Sequence, residues 1–183
     1  QSWSNIYDLV YTEQSKSNSV DVTKIIQDEE INEIEMVEYA EDFFISIGFE
    51  PLPKTFWERS LFVKPRDRSV VCHASAWNLD PANNDLRIKM CIQRNEEDFI
   101  TIHHELGHIF YYQAYNNLPT LFQGGANDGF HEAFGDLLTL SITPDYLTQI
   151  DFISEEEASL AKEDPIGLLM KQALEGIVVV PWA

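Results

Sequence analysis

Basic residues are scarce in this 183-residue chain: 12 Lys and Arg stand against 31 Asp and Glu, a formal charge of −19. Nucleic-acid binding needs clustered cations to neutralise phosphates, so that class is excluded. Long apolar runs are missing too, since the late run 177–180 stops at Pro181, far short of the roughly 18 to 20 residues of a membrane span. Two cysteines are too few for a disulfide-framework miniprotein and lack the clustered spacing of a structural zinc site. There is no Asn-x-Ser/Thr sequon, no internal repeat and no low-complexity tract. Position 1 is Gln and no leader pattern precedes it, which reads as a processed or cut chain.

What is present suffices for a core, because 44% of the residues are hydrophobic and 12% aromatic, unlike a disordered acidic tail. Ile34, Val37, Ala40, Phe44 and Ile47 recur at steps of three and four, which predicts a helix over 28–47 with Gly48 as terminator. Its other face carries Glu33, Glu38, Glu41 and Asp42 as solvated charge. A short helix through Phe56 and Trp57 follows, then two strand-like runs, 69–71 and 86–90, joined by turn chemistry over 78–85. Cys72 and Cys91 flank those runs, so they are either two free buried thiols or, if the ribbon folds back, a disulfide of an oxidising compartment. Helices are expected over 96–115, 130–140, 155–162 and 166–175, with Pro144 opening a connection. The whole reads as mainly α with one small β ribbon.

The sharpest chemical feature is H-E-x-x-H at His104, Glu105 and His108. On a helix, positions four apart share a face, so both imidazoles can take one zinc ion while Glu105 reaches a water beside it. A catalytic zinc site typically has three protein ligands, and Glu132, 24 positions after His108 on the next helix, supplies the third. Asp136 falls one turn later on the same face, where it can accept the free ring N–H of a ligating histidine. The five histidines of the chain are His73, His103, His104, His108 and His131. Incidental histidines on a helix surface and solvated helix carboxylates are the plainer readings of the same residues.

Taken together, the segments 4–10, 56–58 and 70–77, the block from His103 to His108, and Gly125-Ala126-Asn127 with Gly129-Phe130-His131-Glu132-Ala133 resemble the angiotensin-converting enzyme, or peptidyl-dipeptidase A, family of zinc metallopeptidases. The resemblance runs over nearly the whole chain. It implies a zincin, gluzincin-like active-site portion of a larger helical peptidase domain, with residues 1–183 its central part and incomplete at both ends. By this likeness His104, His108 and Glu132 hold one Zn²⁺, Glu105 is general base and acid, and Asp136 supports a ligand. Cys72 and Cys91 pair as a disulfide. His73, Ala74 and Ala76 lie along the edge strand on which an extended peptide is laid, Gln1 helps hold the substrate carboxylate, and Thr101 stands either near the subsite walls or in a core or helix-face role.

The likeness implies removal of dipeptides from the C-terminus of short peptides, in an extracellular or secreted setting, with any membrane anchor outside this chain. Chloride is possible, but its ligands and the family's remaining carboxylate-gripping and oxyanion groups fall beyond position 183. Three positions depart from the pattern: Gly124 for a glutamate, Asp128 for a proline and Leu106 for a methionine. A competing expectation is an inactive homologue that serves as a binding module, whose mark is loss of Glu105 or of a ligand. The first long helix and the run 177–180 are expected to pack against segments outside the chain.

Overall fold

The computed structural model describes residues 20–161. Gln1, the expected helix over 166–175 and the run 177–180 lie outside the described residues. Residues 22–141 form one compact unit containing α1 (Val22–Asp28), α2 (Glu33–Ser46), α3 (Lys54–Arg59), β1 (Ser75–Asp80), β2 (Asp85–Lys89), α4 (Glu96–Asn116) and α5 (Asp128–Thr139). The mainly helical architecture with one small antiparallel ribbon matches the expectation from the apolar spacing and turn signals of the sequence.

The helix expected over 28–47 is two helices. Glu30 takes a left-handed φ of 54°, which ends α1, and Asn32 restarts the chain with a capping box. Its side chain accepts from Glu35 N while Glu35 Oε2 accepts from Asn32 N at 2.7 Å. The buried stripe of α2 is also rotated from expectation: Met36, Val37, Ala40, Phe43 and Phe44 are buried, whereas Ile34 and Ile47 are 39% and 51% exposed. The larger rings decide the face, with Phe44 stacked on Phe110 of α4 at a centroid separation of 4.3 Å. Glu41 is not solvated charge. Its Oε1 accepts from Leu52 N at 2.7 Å, and burial raises its pKa.

The ribbon keeps its place but not its first strand. The strand is Ser75–Asp80 rather than 69–71, because the turn chemistry is concentrated in 81–84. There Pro81 opens a single 3₁₀ turn, the Asp80 side chain accepts from Asn83 N, and Asn84 adopts the left-handed conformation at φ 51°. Ala76 pairs with Ile88 and Ser75 with Lys89. On its other side β2 bonds to the chain at Leu61, through Leu61 N to Ile88 O and Met90 N to Leu61 O, so β1 is the outer strand. Cys72 and Cys91 form a disulfide with a Cα separation of 5.0 Å, tying the start of the ribbon to the approach to α4. Asp85, at the head of β2, takes hydrogen bonds from Arg87 and Arg59, which outweigh burial and hold its pKa at about 2.

Helix α4 is the axis of this unit. Asn95 caps it by accepting from Asp98 N, and Glu96, Glu97 and Asp98 complement the positive end of its dipole. Phe99, Ile102, Leu106, Ile109 and Phe110 are fully buried at helical spacing, each contributing about 1.5–3 kcal/mol of burial. Residues 142–161 belong to the second unit. Pro144 does not open a connection there but sits in the first turn of α6 (Pro144–Gln149), where its missing N–H costs nothing and Thr143 caps. Ser154 and Glu157 cap α7 (Glu155–Ala161) in the same reciprocal way as Asn32 and Glu35. No helix among the described residues is long and apolar enough to cross a membrane.

One histidine of the motif block belongs to the core. His103 is fully buried against Phe99 and Phe43, and its Nδ1–H donates to Phe99 O at 2.8 Å. Burial lowers its pKa to about 4, against about 6.5 in an unfolded chain. The unfolded state therefore binds the extra proton between those values. The stability from neutral His103 is complete above pH 6.5 and is lost as pH falls towards 4, by about 3 kcal/mol in all. His103→Leu is expected to lose that part of the pH dependence, so the stability difference between wild type and variant in thermal melts should shift in favour of the variant from pH 7 to 4; parallel curves would contradict it.

Candidate metal centre

Helices α4 and α5 cross at two glycines. A Cβ on Gly107 would lie 3.0 Å from Gly135 Cα, and a Cβ on Gly135 would lie 2.8 Å from His104 Nδ1. Backbone thus meets backbone, and the second helix comes close enough for its carboxylates to reach the imidazoles of the first. Helix α5 starts where it does because Asn127 caps it, its side chain accepting from Phe130 N at 2.7 Å.

Glu132 faces both motif histidines. Its Oε2 is 3.2 Å from His104 Nε2 and its Oε1 is 3.7 Å from His108 Nε2. His104 Nδ1 lies 3.0 Å from Asp136 Oδ1, one turn along α5. One donor atom from each of His104, His108 and Glu132 falls within 4.8 Å of the other two. Zinc–ligand bonds of 2.0–2.1 Å put tetrahedral donors about 3.4 Å apart, so the separations from Glu132 to the imidazoles are of the right size. Two imidazoles and a carboxylate are a fitting donor set for Zn²⁺.

The electrostatics suit metal ligation in the same way. Burial, reinforced by His104, lowers the His108 pKa to about 4, which keeps its ring neutral and a lone pair available. Glu105 is buried, and its Oε2 has no hydrogen-bond partner among the described residues. Burial raises its pKa, opposed by His104 and assisted by Glu132. A carboxylate held this way is suited to take up a proton.

The site opens into a cleft of about 860 Å³ whose walls include His73, Ala74, Thr101, His104, Glu105 and Asp136. His73 and Ala74 precede β1 instead of lying within it, and the His73 Nδ1–H donates to Ala74 O at 2.7 Å. Ala76 is in the strand and does not line the cleft. Thr101 Oγ1 donates to Glu97 O at 2.8 Å. Among the residues singled out from the sequence, His104, Glu105, His108, Glu132 and Asp136 are brought together, and His103 is turned into the core.

Sequence reasoning passed over two contributors. His131 Nδ1 lies 2.7 Å from His108 Nδ1, with Tyr111 and Tyr112 packed around its ring. Burial, then the neighbouring carboxylates of Glu105 and Glu132, raise the Tyr112 pKa. The glycine pair was the other, and its signal was available, one glycine standing inside each chemical motif.

Two helices locked by glycines, presenting H-E-x-x-H against a carboxylate from the second helix, form a zincin-type, gluzincin-like arrangement. The chain belongs to the peptidase M2 family: the family model described as angiotensin-converting enzyme matches residues 1–183. It is similar to the angiotensin-converting enzyme of Bos taurus, 45% identical over 185 residues that cover 100% of this chain and 14% of that protein. Angiotensin-converting enzyme of Haematobia irritans exigua is 40% identical over 189 residues, covering 100% of this chain and 30% of the relative. The angiotensin-converting enzyme-related protein of Drosophila melanogaster is 40% identical over 183 residues, with coverage of 100% and 28%. The chain therefore spans less than a third of the length of these relatives.

Gly135→Ala is expected to force α5 away from His104, costing about 1–3 kcal/mol of stability and weakening metal binding. Thermal melts and metal titration check it, and a variant equal to wild type in both would show that the glycine contact does not set the site.

Proposed function

We propose that this protein is a zinc metallopeptidase of the peptidyl-dipeptidase type, with residues 1–183 the central part of its catalytic domain. His104, His108 and Glu132 would hold one Zn²⁺, and Asp136 would orient His104 by accepting its Nδ1–H. The observation that carries this reading is the Glu132 carboxylate set between two imidazole Nε2 atoms, beside a buried Glu105 oxygen that has no partner among the described residues. When bound, zinc supplies Lewis-acid activation of water and of the scissile carbonyl.

The chain's own residues do the rest of the assigned work. Glu105 takes the proton from the attacking water and delivers it to the leaving amine, so it serves as base and then acid. Its burial favours that role, because the proton is held in a poorly solvated position until the amine needs it. His73 and Ala74 border the cleft on the ribbon side, where backbone pairing to an extended peptide is the natural mode of recognition. Gln1 is assigned to the substrate carboxylate, and Thr101 to the cleft wall. The groups that complete carboxylate binding and oxyanion stabilisation come from outside residues 1–183, as does any chloride site.

Peptides with a free C-terminus are the proposed substrates, in an extracellular setting that the Cys72–Cys91 disulfide favours. The intact Glu105 and ligand set weighs against a purely structural, non-catalytic homologue.

Glu105→Gln in the full-length protein is expected to keep zinc while turnover falls by about 10² to 10⁴-fold. Glu132→Ala is expected to lose zinc. Metal analysis beside a dipeptide-release assay checks both, and undiminished release by the Glu105 variant would remove that residue from the mechanism.

A further inference from the structure

His108 differs from His104 in what stands behind it. The Nδ1 of His104 faces a carboxylate, Asp136, whereas the Nδ1 of His108 faces another imidazole, His131, at 2.7 Å. Two ring nitrogens at that distance hold one proton between them. With a proton on each, the N–H groups collide; with none, two lone pairs oppose one another. A neutral imidazole that offers the Nε2 lone pair carries its proton on Nδ1. It follows that His108 donates and His131 Nδ1 accepts, which puts the His131 proton on Nε2.

The surroundings hold His131 in that pose. Its ring centroid lies 4.6 Å from that of Tyr111 and 4.9 Å from that of Tyr112. Gly125 closes the remaining edge so tightly that a Cβ there would stand 2.9 Å from His131 Cδ2. The loop carrying Gly125 is fastened by Ala126 N, which donates to Tyr111 Oη at 3.1 Å. His131 Nε2 is buried without a hydrogen-bond partner among the described residues. An apolar ring would fill this aromatic slot without such a cost, so packing alone does not account for a histidine.

We infer that His131 is a positioning residue, which fixes the His108 ring with Nδ1 protonated and Nε2 free for the metal. The inference rests on the zinc reading of His104, His108 and Glu132. It adds that the two imidazoles are supported unequally, one by a charged acceptor and one by a neutral one.

Two substitutions in the full-length protein separate positioning from packing. His131→Phe keeps a ring and removes the acceptor; His131→Gln restores an acceptor oxygen and sacrifices ring packing. Zinc affinity, measured by competition with a chromophoric chelator, is expected to fall about 10 to 100-fold in His131→Phe and to be largely retained in His131→Gln. The reverse order, or wild-type affinity in His131→Phe, overturns the inference while leaving the zinc site in place. No zinc bound by wild type overturns both. Ring ¹⁵N shifts of the zinc-loaded wild type give a reading that needs no variant: His131 protonated at Nε2 supports the role, and His131 protonated at Nδ1 sinks it.

Discussion

The approach of α4 and α5 at Gly107 and Gly135 sets the distance at which everything else in the centre operates. Helices packed through ordinary side chains lie roughly 8–10 Å apart, and a glycine contact draws them to the near side of that range. Here the contact is close enough that a single methyl group would strike a backbone atom on one helix or the His104 ring on the other. Glu132 and Asp136 lie one turn apart on α5, on either side of Gly135, so the same crossing brings one carboxylate to His104 Nε2 and the other to its Nδ1.

That crossing is held from behind by the apolar face of α4. Phe99, Ile102, Leu106, Ile109 and Phe110 anchor the helix to α2 and the ribbon, leaving the adjoining face for His104, Glu105 and His108. His103 marks the boundary between the two faces. It shares its neighbour's chemistry, yet its position on the helix turns it into an aromatic pocket where it remains neutral. The cost of burying polar atoms is concentrated on the other side, at Glu105 Oε2 and His131 Nε2. Unpartnered buried groups of this kind destabilise a fold and gather where chemistry requires them.

Much of this was legible in the residues. The bounds of α4 and α5 followed from apolar spacing and turn chemistry, and the H-E-x-x-H motif placed His104 and His108 on one helical face without reference to any partner. Asp136 followed from its one-turn offset from Glu132. The misreadings have a common cause. The split between α1 and α2, the rotated stripe of α2 and the true first strand each depend on which neighbour an element packs against. Ile34 and Met36 are both apolar, and only the position of α4 selects Met36 for the interior. In the same way, Ser69 to Val71 has strand-like chemistry, but β2 finds its partner after the disulfide rather than before it.

Sequence by itself determined the residue types and their helical phase: two imidazoles four apart, a glutamate beside them, and a second pair of carboxylates one turn apart. Those relations are local, set by the 3.6-residue repeat, and survive any arrangement of the helices. Tertiary structure decided the relations that span the chain. It turned His103 inward, set His131 against His108, left Glu105 Oε2 without a partner among the described residues, and joined Cys72 to Cys91. Each of these depends on how closely one element approaches another and not on spacing along the chain alone; at the metal centre that approach is set by packing at Gly107, Gly125 and Gly135.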